Sequence, residues 1–392
     1  MKKKKGAILI SRRAREISPF LAMEIFERAV ELERSGQTVI HLEIGEPDWE
    51  TPEVVREAGI KALLKGRTHY THSLGHPELR QAIASWYEKK YGLHLSPSRV
   101  VVTLGSSAAM LLSFAVLLDP GAEVLMTDPH YPCYPKFVTF FEGVPVPLQV
   151  SEEDNFQFDL AVVRKNLGAN TRALILNSPA NPTGAVTESE KMLDLVKVVD
   201  GKATIVSDEV YHGLVYQGRA HSILEYSSKS IVINGFSKLF AMTGWRLGYA
   251  IFPDELVSAI QKLQQNFFIS APDFSQFAAI AALTDTEEEI ENRRCCYNER
   301  RLLVLDKLRE IGLKVLVPPT GAFYVFVNIS HCGVDSLDFA IRLLETTGVA
   351  VTPGIDFGIC GEGFIRISYA NSKEKLEEGI SRLAKFLEGF DK

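Results

Sequence analysis

The feature that most constrains this 392-residue chain is a series of short, uniformly apolar runs that recur at helix-length spacing through its middle. They fall at 100–104, 122–127, 172–176, 203–207, 230–233 and 247–251, mostly separated by helix-compatible segments such as 187–199. A strand apolar at every position is buried on both faces, which is how parallel strands flanked by helices read. Residues 108–118, apolar on nearly every side, suit a buried crossover helix. The pattern predicts an α/β domain with a largely parallel sheet covered on both sides, and with binding groups at the carboxyl ends of its strands.

The pattern changes beyond Pro272. Helix-like segments at 273–284 and 287–311 lead to strand candidates at 313–317, 322–328 and 364–368 and to helices near 336–347 and 373–388. That fits a second, smaller α+β domain, with the long polar segment 287–311 linking the two lobes. Near the start, residues 12–37 carry helical periodicity up to Gly36, with Ser18-Pro19 setting the helix entry. Segment 39–44 then reads as a short strand that delivers Gly45-Glu46-Pro47-Asp48, a tight turn where backbone can approach a ligand. A helix is expected from Pro52 to about Lys65, and another from Pro77 to Tyr91.

With 46% hydrophobic residues the chain can bury a sizeable core without disulfides or structural metals. Its formal charge of −6 disfavours nucleic acid or anionic lipid as a partner, and the basic head at 2–5 is too short to change that. Five irregularly spaced cysteines suit a reducing compartment. The longest apolar stretch, 108–118, falls well below the roughly 20 residues that span a bilayer, and the apolar segment 7–10 is too short for a signal peptide. A soluble cytoplasmic protein is expected.

The residues with chemical promise cluster at strand ends. Lys238 follows the run 230–233 within NGFSKLFAMTGWRLGYA (234–250), with Ser237 before it and Arg246 eight residues on. A lysine so placed can hold a carbonyl cofactor covalently while a nearby cation grips an anionic tail. Gly105-Ser106-Ser107, between a strand and a helix, offers free backbone donors and hydroxyls as an anion seat. Neither a Gly-x-Gly-x-x-Gly fingerprint nor a Gly-x-x-x-x-Gly-Lys loop stands there, so a dinucleotide or nucleotide-hydrolase site is not indicated. His69, His72 and His76 have no acidic or cysteine ligand placed with them, and no metal is expected.

In order along the chain stand IGEPD (44–48), YTHSLGHPELR (70–80), GSSAA (105–109), DPHYPCYP (128–135), NSPANPTG (177–184), SDEVY (207–211), SKLFAMTGWRLGY (237–249) and FIRIS (364–368). This set resembles the class I/II aminotransferases of the pyridoxal-phosphate fold-type I superfamily, over almost the whole chain. The resemblance implies a large domain with a mostly parallel seven-stranded sheet sandwiched by helices, plus a smaller α+β domain. It divides the chain into an N-terminal arm with part of the small domain (1–48), a large cofactor-binding domain (49–290) and a small C-terminal domain (291–392). The implied cofactor is pyridoxal 5'-phosphate. Lys238 resembles the lysine that holds its aldehyde and then serves as general base, and Asp208 the partner of its ring nitrogen. Tyr211 and Asn181 match residues that bond the ring hydroxyl, and Tyr131 the aromatic stacked on the ring. Ser106, Ser107, Ser237 and Arg246 match the phosphate seat, to which Tyr70 would be contributed by the other subunit of a homodimer. Arg366 matches the arginine that grips the substrate α-carboxylate, with Gly45 close to the same group.

The substrate side chain is less constrained. Dicarboxylate-specific relatives place an extra cation in this region, where the helix after the phosphate turn has Ser113, Phe114 and Ala115, and the entrance has Phe20 and Leu21. These residues favour a neutral aliphatic or aromatic L-amino acid as donor, with a 2-oxo acid such as pyruvate or 2-oxoglutarate as acceptor. The alternatives are an aspartate or broad-specificity aminotransferase, with Arg12, Arg13 or Arg15 serving a second carboxylate, and a carbon–sulfur β-lyase on the same scaffold. A noncatalytic regulatory binding protein is the alternative of a different class.

Overall fold

The computed structural model describes residues 8–390; the basic head at 2–5 and the first residue of segment 7–10 lie outside them. Seven strands form the large sheet: β1 (Val100–Thr103), β2 (Glu123–Asp128), β3 (Val144–Gln149), β4 (Thr171–Asn177), β5 (Thr204–Asp208), β6 (Ile231–Gly235) and β7 (Gly248–Ile251). Their spatial order is β1-β7-β6-β5-β4-β2-β3. Strand β7 runs antiparallel to both neighbours, and every other pairing beyond it is parallel. The carboxyl ends of β1, β4, β5 and β6 therefore open on one edge of the sheet, where the candidate residues were placed by sequence.

Six strands follow the uniformly apolar runs, and β1, β6 and β7 are buried at every position. The apolar pattern does not reveal β3, VPVPLQ, because Pro145 and Pro147 break it. The strand tolerates them because it lies at the sheet edge and pairs only with β2, where a missing N–H leaves no ladder partner unsatisfied.

The smaller α+β domain is built on β8 (Tyr324–Asn328) and β9 (Phe364–Ser368), which are antiparallel, with Thr352–Pro353 on the other side of β9. The run 313–317 forms no strand; Pro318 and Pro319 follow it and offer no N–H to a ladder. Ile40–His41 pairs in parallel with Val349–Ala350, which ties the start of the chain into the C-terminal domain. The strand expected over 39–44 is thus two residues long, and the turn after it is held by an ion pair. Both oxygens of Asp48 accept from Arg300 Nη1, at 2.8 and 2.9 Å.

Four helices position the site. The periodic segment 12–37 splits at Ser18-Pro19 into a single turn of α-helix, Arg12–Glu16, and α1 (Leu21–Arg34), whose Ala22, Ile25, Ala29 and Leu32 face the core. Helix α2 (Ser106–Leu117) is buried on most sides, as its composition requires. Helix α3 (Cys133–Phe140) follows β2, and α4 (Glu287–Glu310) is the long polar helix expected between the lobes. Among the described residues there is no helix long and apolar enough to cross a membrane, and no disulfide.

Candidate active site

A cavity, about 910 Å³ with the space at its open mouth, lies at the carboxyl ends of the large sheet, walled on one side by β8 and β9. Lys238, three residues beyond β6, reaches it with Nζ donating to the Gly45 carbonyl at 2.5 Å. Burial lowers its pKa to about 8, with Arg366 and Arg246 acting in the same direction and Glu46 opposing. The amine is therefore far more available as a nucleophile or base than a solvated lysine.

Asp208 ends β5 and shares the cavity. Its Oδ2 accepts from Tyr134 hydroxyl at 2.7 Å and its Oδ1 from the Val210 N–H at 3.2 Å. Burial raises the Asp208 pKa, while those two hydrogen bonds and the charge on Lys238 pull it down. A buried carboxylate in this position needs a cationic or protonated partner, which a ring nitrogen facing it would supply.

Arg366, on β9, is 3% exposed. Nη1 donates to Asn181 Oδ1 at 2.9 Å, and Nη2 to the Glu43 carbonyl and to Thr352 Oγ1. The guanidinium lies 4.3 Å over the Tyr324 ring and 5.0 Å from that of Phe357. Its Nε is buried without a hydrogen-bond partner.

Tyr324 also bonds the Tyr211 hydroxyl, at 2.7 Å, and a Cβ added to Gly45 would fall 1.8 Å from its oxygen. Only glycine lets this turn approach, which explains the residue predicted beside the carboxylate.

The anion seat forms where β1 passes into α2. Gly105 has φ +82° and caps the helix, whose first residues, Ser106 and Ser107, line the cavity. A Cβ on Gly248 would lie 2.7 Å from Gly105 C and Ser106 N, so β7 must carry glycine for the turn to exist. The Arg246 guanidinium packs against the same turn, with Nη2 3.0 Å from where a Gly105 Cβ would stand. Helix N-terminus and cation together suit a phosphate.

Phe20, Gly45, Tyr131, Asn181 and Tyr211 line the cavity with the residues above. Ser237, Arg246 and Tyr70 do not. The first two flank the lysine and the turn, whereas Tyr70 is 81% exposed on its loop. The helix positions 113–115 do not face the site: Ser113 is buried, bonding the Ala109 carbonyl at 2.8 Å, and Phe114 is in the core. The cavity side of α2 is Ser106, Ser107 and Met110, one turn apart on a single face. Arg12 and Arg13 pair with Glu16 and Glu142 away from the wall. His76 bonds Asp273, and the Leu74 N–H donates to His72.

Sequence reasoning missed Tyr134, Tyr324 and the apolar wall of Met23, Met110 and Phe137. Tyr134 could have been found three residues after Tyr131, in the same quoted motif. Tyr324 carries no signal in a run as apolar as 322–327. The residues present fit an aldehyde-bearing pyridine phosphate: an amine of depressed pKa, a carboxylate at the strand end beside it, an aromatic wall in Tyr131, and a glycine-shaped anion cradle.

Comparison with known proteins agrees with this geometry. The family described as aminotransferase class I and II matches residues 37–383. The chain is 44% identical to (5-formylfuran-3-yl)methyl phosphate transaminase of Methanocaldococcus jannaschii, covering 97% of this chain and all of that one. It is 39% identical to valine–pyruvate aminotransferase of Mycobacterium tuberculosis, over 95% of this chain and 97% of the relative. Among solved structures, aspartate aminotransferase from Thermus thermophilus with maleate superposes with a TM-score of 0.93 at 38% identity, covering 97% of this chain and all of that one.

Proposed function

The chain belongs to the class I and II aminotransferases, pyridoxal-phosphate-dependent enzymes of fold type I, and on that premise we propose that it moves amino groups between 2-oxo acids and a broad range of L-amino acids, acidic as well as neutral. The observation that carries the amino-transfer chemistry is the convergence of Lys238, Asp208 and Arg366 on one cavity. A donor restricted to neutral side chains, the reading favoured by Phe20 and Leu21, has narrower support. Relatives of comparable identity are named for valine, for aspartate and for a phosphorylated furan aldehyde.

The enzyme works in two half-reactions at one site, taking an amino group from the donor and giving it to the acceptor. When bound, the cofactor supplies an electron sink for the substrate's α carbon. Arg366 holds the α-carboxylate, and Asn181 fixes the guanidinium plane. Gly45 gives the substrate close access to Arg366, while its carbonyl steadies the Lys238 amine. Lys238 Nζ, its pKa lowered to about 8, would take the proton from the donor's α carbon and, in the second half-reaction, deliver one to the acceptor's α carbon. Asp208 contributes negative charge opposite, kept in place by Tyr134. Ser106, Ser107, Ser237 and Arg246 are assigned the phosphate, Tyr131 the ring face and Tyr211 the ring hydroxyl. Phe20, with Met23 and Met110, is assigned the substrate side chain.

We place the domain divisions at 48 and 290, supported by the pairing of Ile40–His41 with Val349–Ala350 and by the start of α4 at Glu287. A cytoplasmic homodimer is the proposed form. Exposed Tyr70, outside its own cavity, would complete the phosphate seat of its partner.

The deciding experiment loads the protein with pyridoxal phosphate, adds single amino acids, and follows loss of the bound cofactor's absorbance and its recovery with single 2-oxo acids. Recovery after aspartate, leucine and phenylalanine is expected. Turnover confined to neutral donors would restore the narrower range. Ammonia and pyruvate from cystathionine without recovery by 2-oxo acids would identify a β-lyase.

A further inference from the structure

The cavity's roof is held from outside. Residues 19–22, leading from the segment after Arg12–Glu16 into the first turn of α1, cross it and place Phe20 edge-on to Tyr131 at a centroid distance of 6.2 Å. The chain before this crossing has little burial, residues 11–19 being exposed, while Phe20 and Leu21 are half-buried and Ala22 is buried. Behind it lies an open cleft of about 830 Å³, bounded by the crossing, α3 and residues 355–358. Packing therefore holds Ala22 and supplies little to hold the chain just before Phe20 in place.

Two polar anchors do so instead. Phe20 occupies the N-cap of α1 and has no side chain able to cap it. Asp356, 335 positions after Leu21, provides the cap, its two carboxylate oxygens accepting from Leu21 N–H and Ala22 N–H, each at 3.1 Å. A carboxylate against the first turn of a helix also meets the positive end of the helix dipole. Lys136 on α3, lining the same cleft as Asp356, donates Nζ to the Pro19 carbonyl at 2.7 Å and stands 5.6 Å over the Phe20 ring. Neither Lys136 nor Asp356 lines the cavity. Both sit on elements that carry the chemistry. Helix α3 also bears Tyr134, bonded to Asp208, and Asp356 follows Thr352–Pro353, the strand that pairs Arg366.

We infer that Lys136 and Asp356 are positioning residues that set which substrate side chains this enzyme accepts, by pinning Phe20 over the cavity from the two domains. The inference rests on the reading that Phe20 meets the substrate side chain. Each anchor removes freedom from the same short crossing, so loss of either loosens the wall against which a large side chain packs. A small side chain, which does not reach Phe20, is unaffected.

The test compares K136M, D356A and D356N with F20A in the cofactor-loaded enzyme, measuring kcat and KM for alanine, leucine and phenylalanine as donors. In K136M and D356A the preference for leucine and phenylalanine over alanine is expected to fall about tenfold, through KM, the size of effect expected for a lost helix cap. Cofactor absorbance and turnover of alanine should stay within about twofold of the parent. D356N, which keeps one acceptor oxygen, should fall between parent and D356A and guards against a loss of fold. Amide exchange at Leu21 and Ala22 should accelerate in D356A, a readout independent of turnover. If F20A shifts the preference and the anchor variants retain the parent ratios, the anchoring role is overturned alone. If F20A leaves the ratios unchanged, the assignment of Phe20 to the substrate falls, and this inference falls with it.

Discussion

At the scale of single residues, the account turns on an amine made reactive by where it is buried. Among the described residues Lys238 is the one cavity lysine, and burial brings its pKa from the ordinary 10.5 to about 8. Only the neutral amine attacks an aldehyde, so its fraction rises with pH through the lowered value and saturates above it. The rate at which cofactor-free protein takes up pyridoxal phosphate should accordingly climb between about pH 7 and 9 and level off. Stopped-flow absorbance across that range checks it, and a rate still rising past pH 10 would mean that the lysine is not desolvated. Lys238, Asp208 and Arg366, the last two marked by the family resemblance alone, line one cavity. Tyr324 was not legible in the sequence, although it touches Gly45, Tyr211 and Arg366. A tyrosine in an apolar strand has no mark separating a hydroxyl aimed at a site from one buried in the core.

At the scale of elements, the sheet edge organises the site, and glycine decides how closely its pieces meet. Gly248 on β7 faces Thr103 of β1, and its missing side chain is what lets the turn at Gly105 lie against the sheet. G248A would push backbone on backbone, which a flexible side chain cannot relieve. It should weaken cofactor binding at least tenfold and cost about 1–3 kcal/mol of stability, read by cofactor titration and by denaturant melts. Unchanged affinity would remove the turn from the phosphate seat. The strands were readable where both faces are buried and unreadable where they are not: β3 carries two prolines at an edge, and 313–317 is apolar but unpaired. Helix limits at Pro77–Tyr91 followed from proline at the start and from Gly92, at φ +71°, beyond the end. The face of α2 was misjudged because a helix apolar all round offers no amphipathic stripe to orient it, and the structure puts Met110 rather than Ser113 at the cavity.

At the scale of the whole molecule, two domains meet over one cavity, and a second copy is expected to complete it. If Tyr70 serves the partner's site, variants Y70A and K238A, each deficient alone, should complement when refolded together. A hybrid dimer would carry one site with native Lys238 and native Tyr70, so an equal mixture should recover about a quarter of parent activity. No recovery in verified hybrids would place Tyr70 in its own subunit's site or outside it. The two-domain architecture was readable from the change of pattern beyond Pro272, whereas the return of Ile40–His41 to Val349–Ala350 was not, since a two-residue ladder leaves no periodicity. Everything above this scale depends on one covalent attachment point. The most direct measurement reduces the cofactor-loaded protein with borohydride, digests it, and locates the pyridoxyl group by mass spectrometry. The account predicts a single modified peptide, labelled on Lys238; a label on another lysine, or amino transfer persisting in K238A at the parent rate, would contradict it.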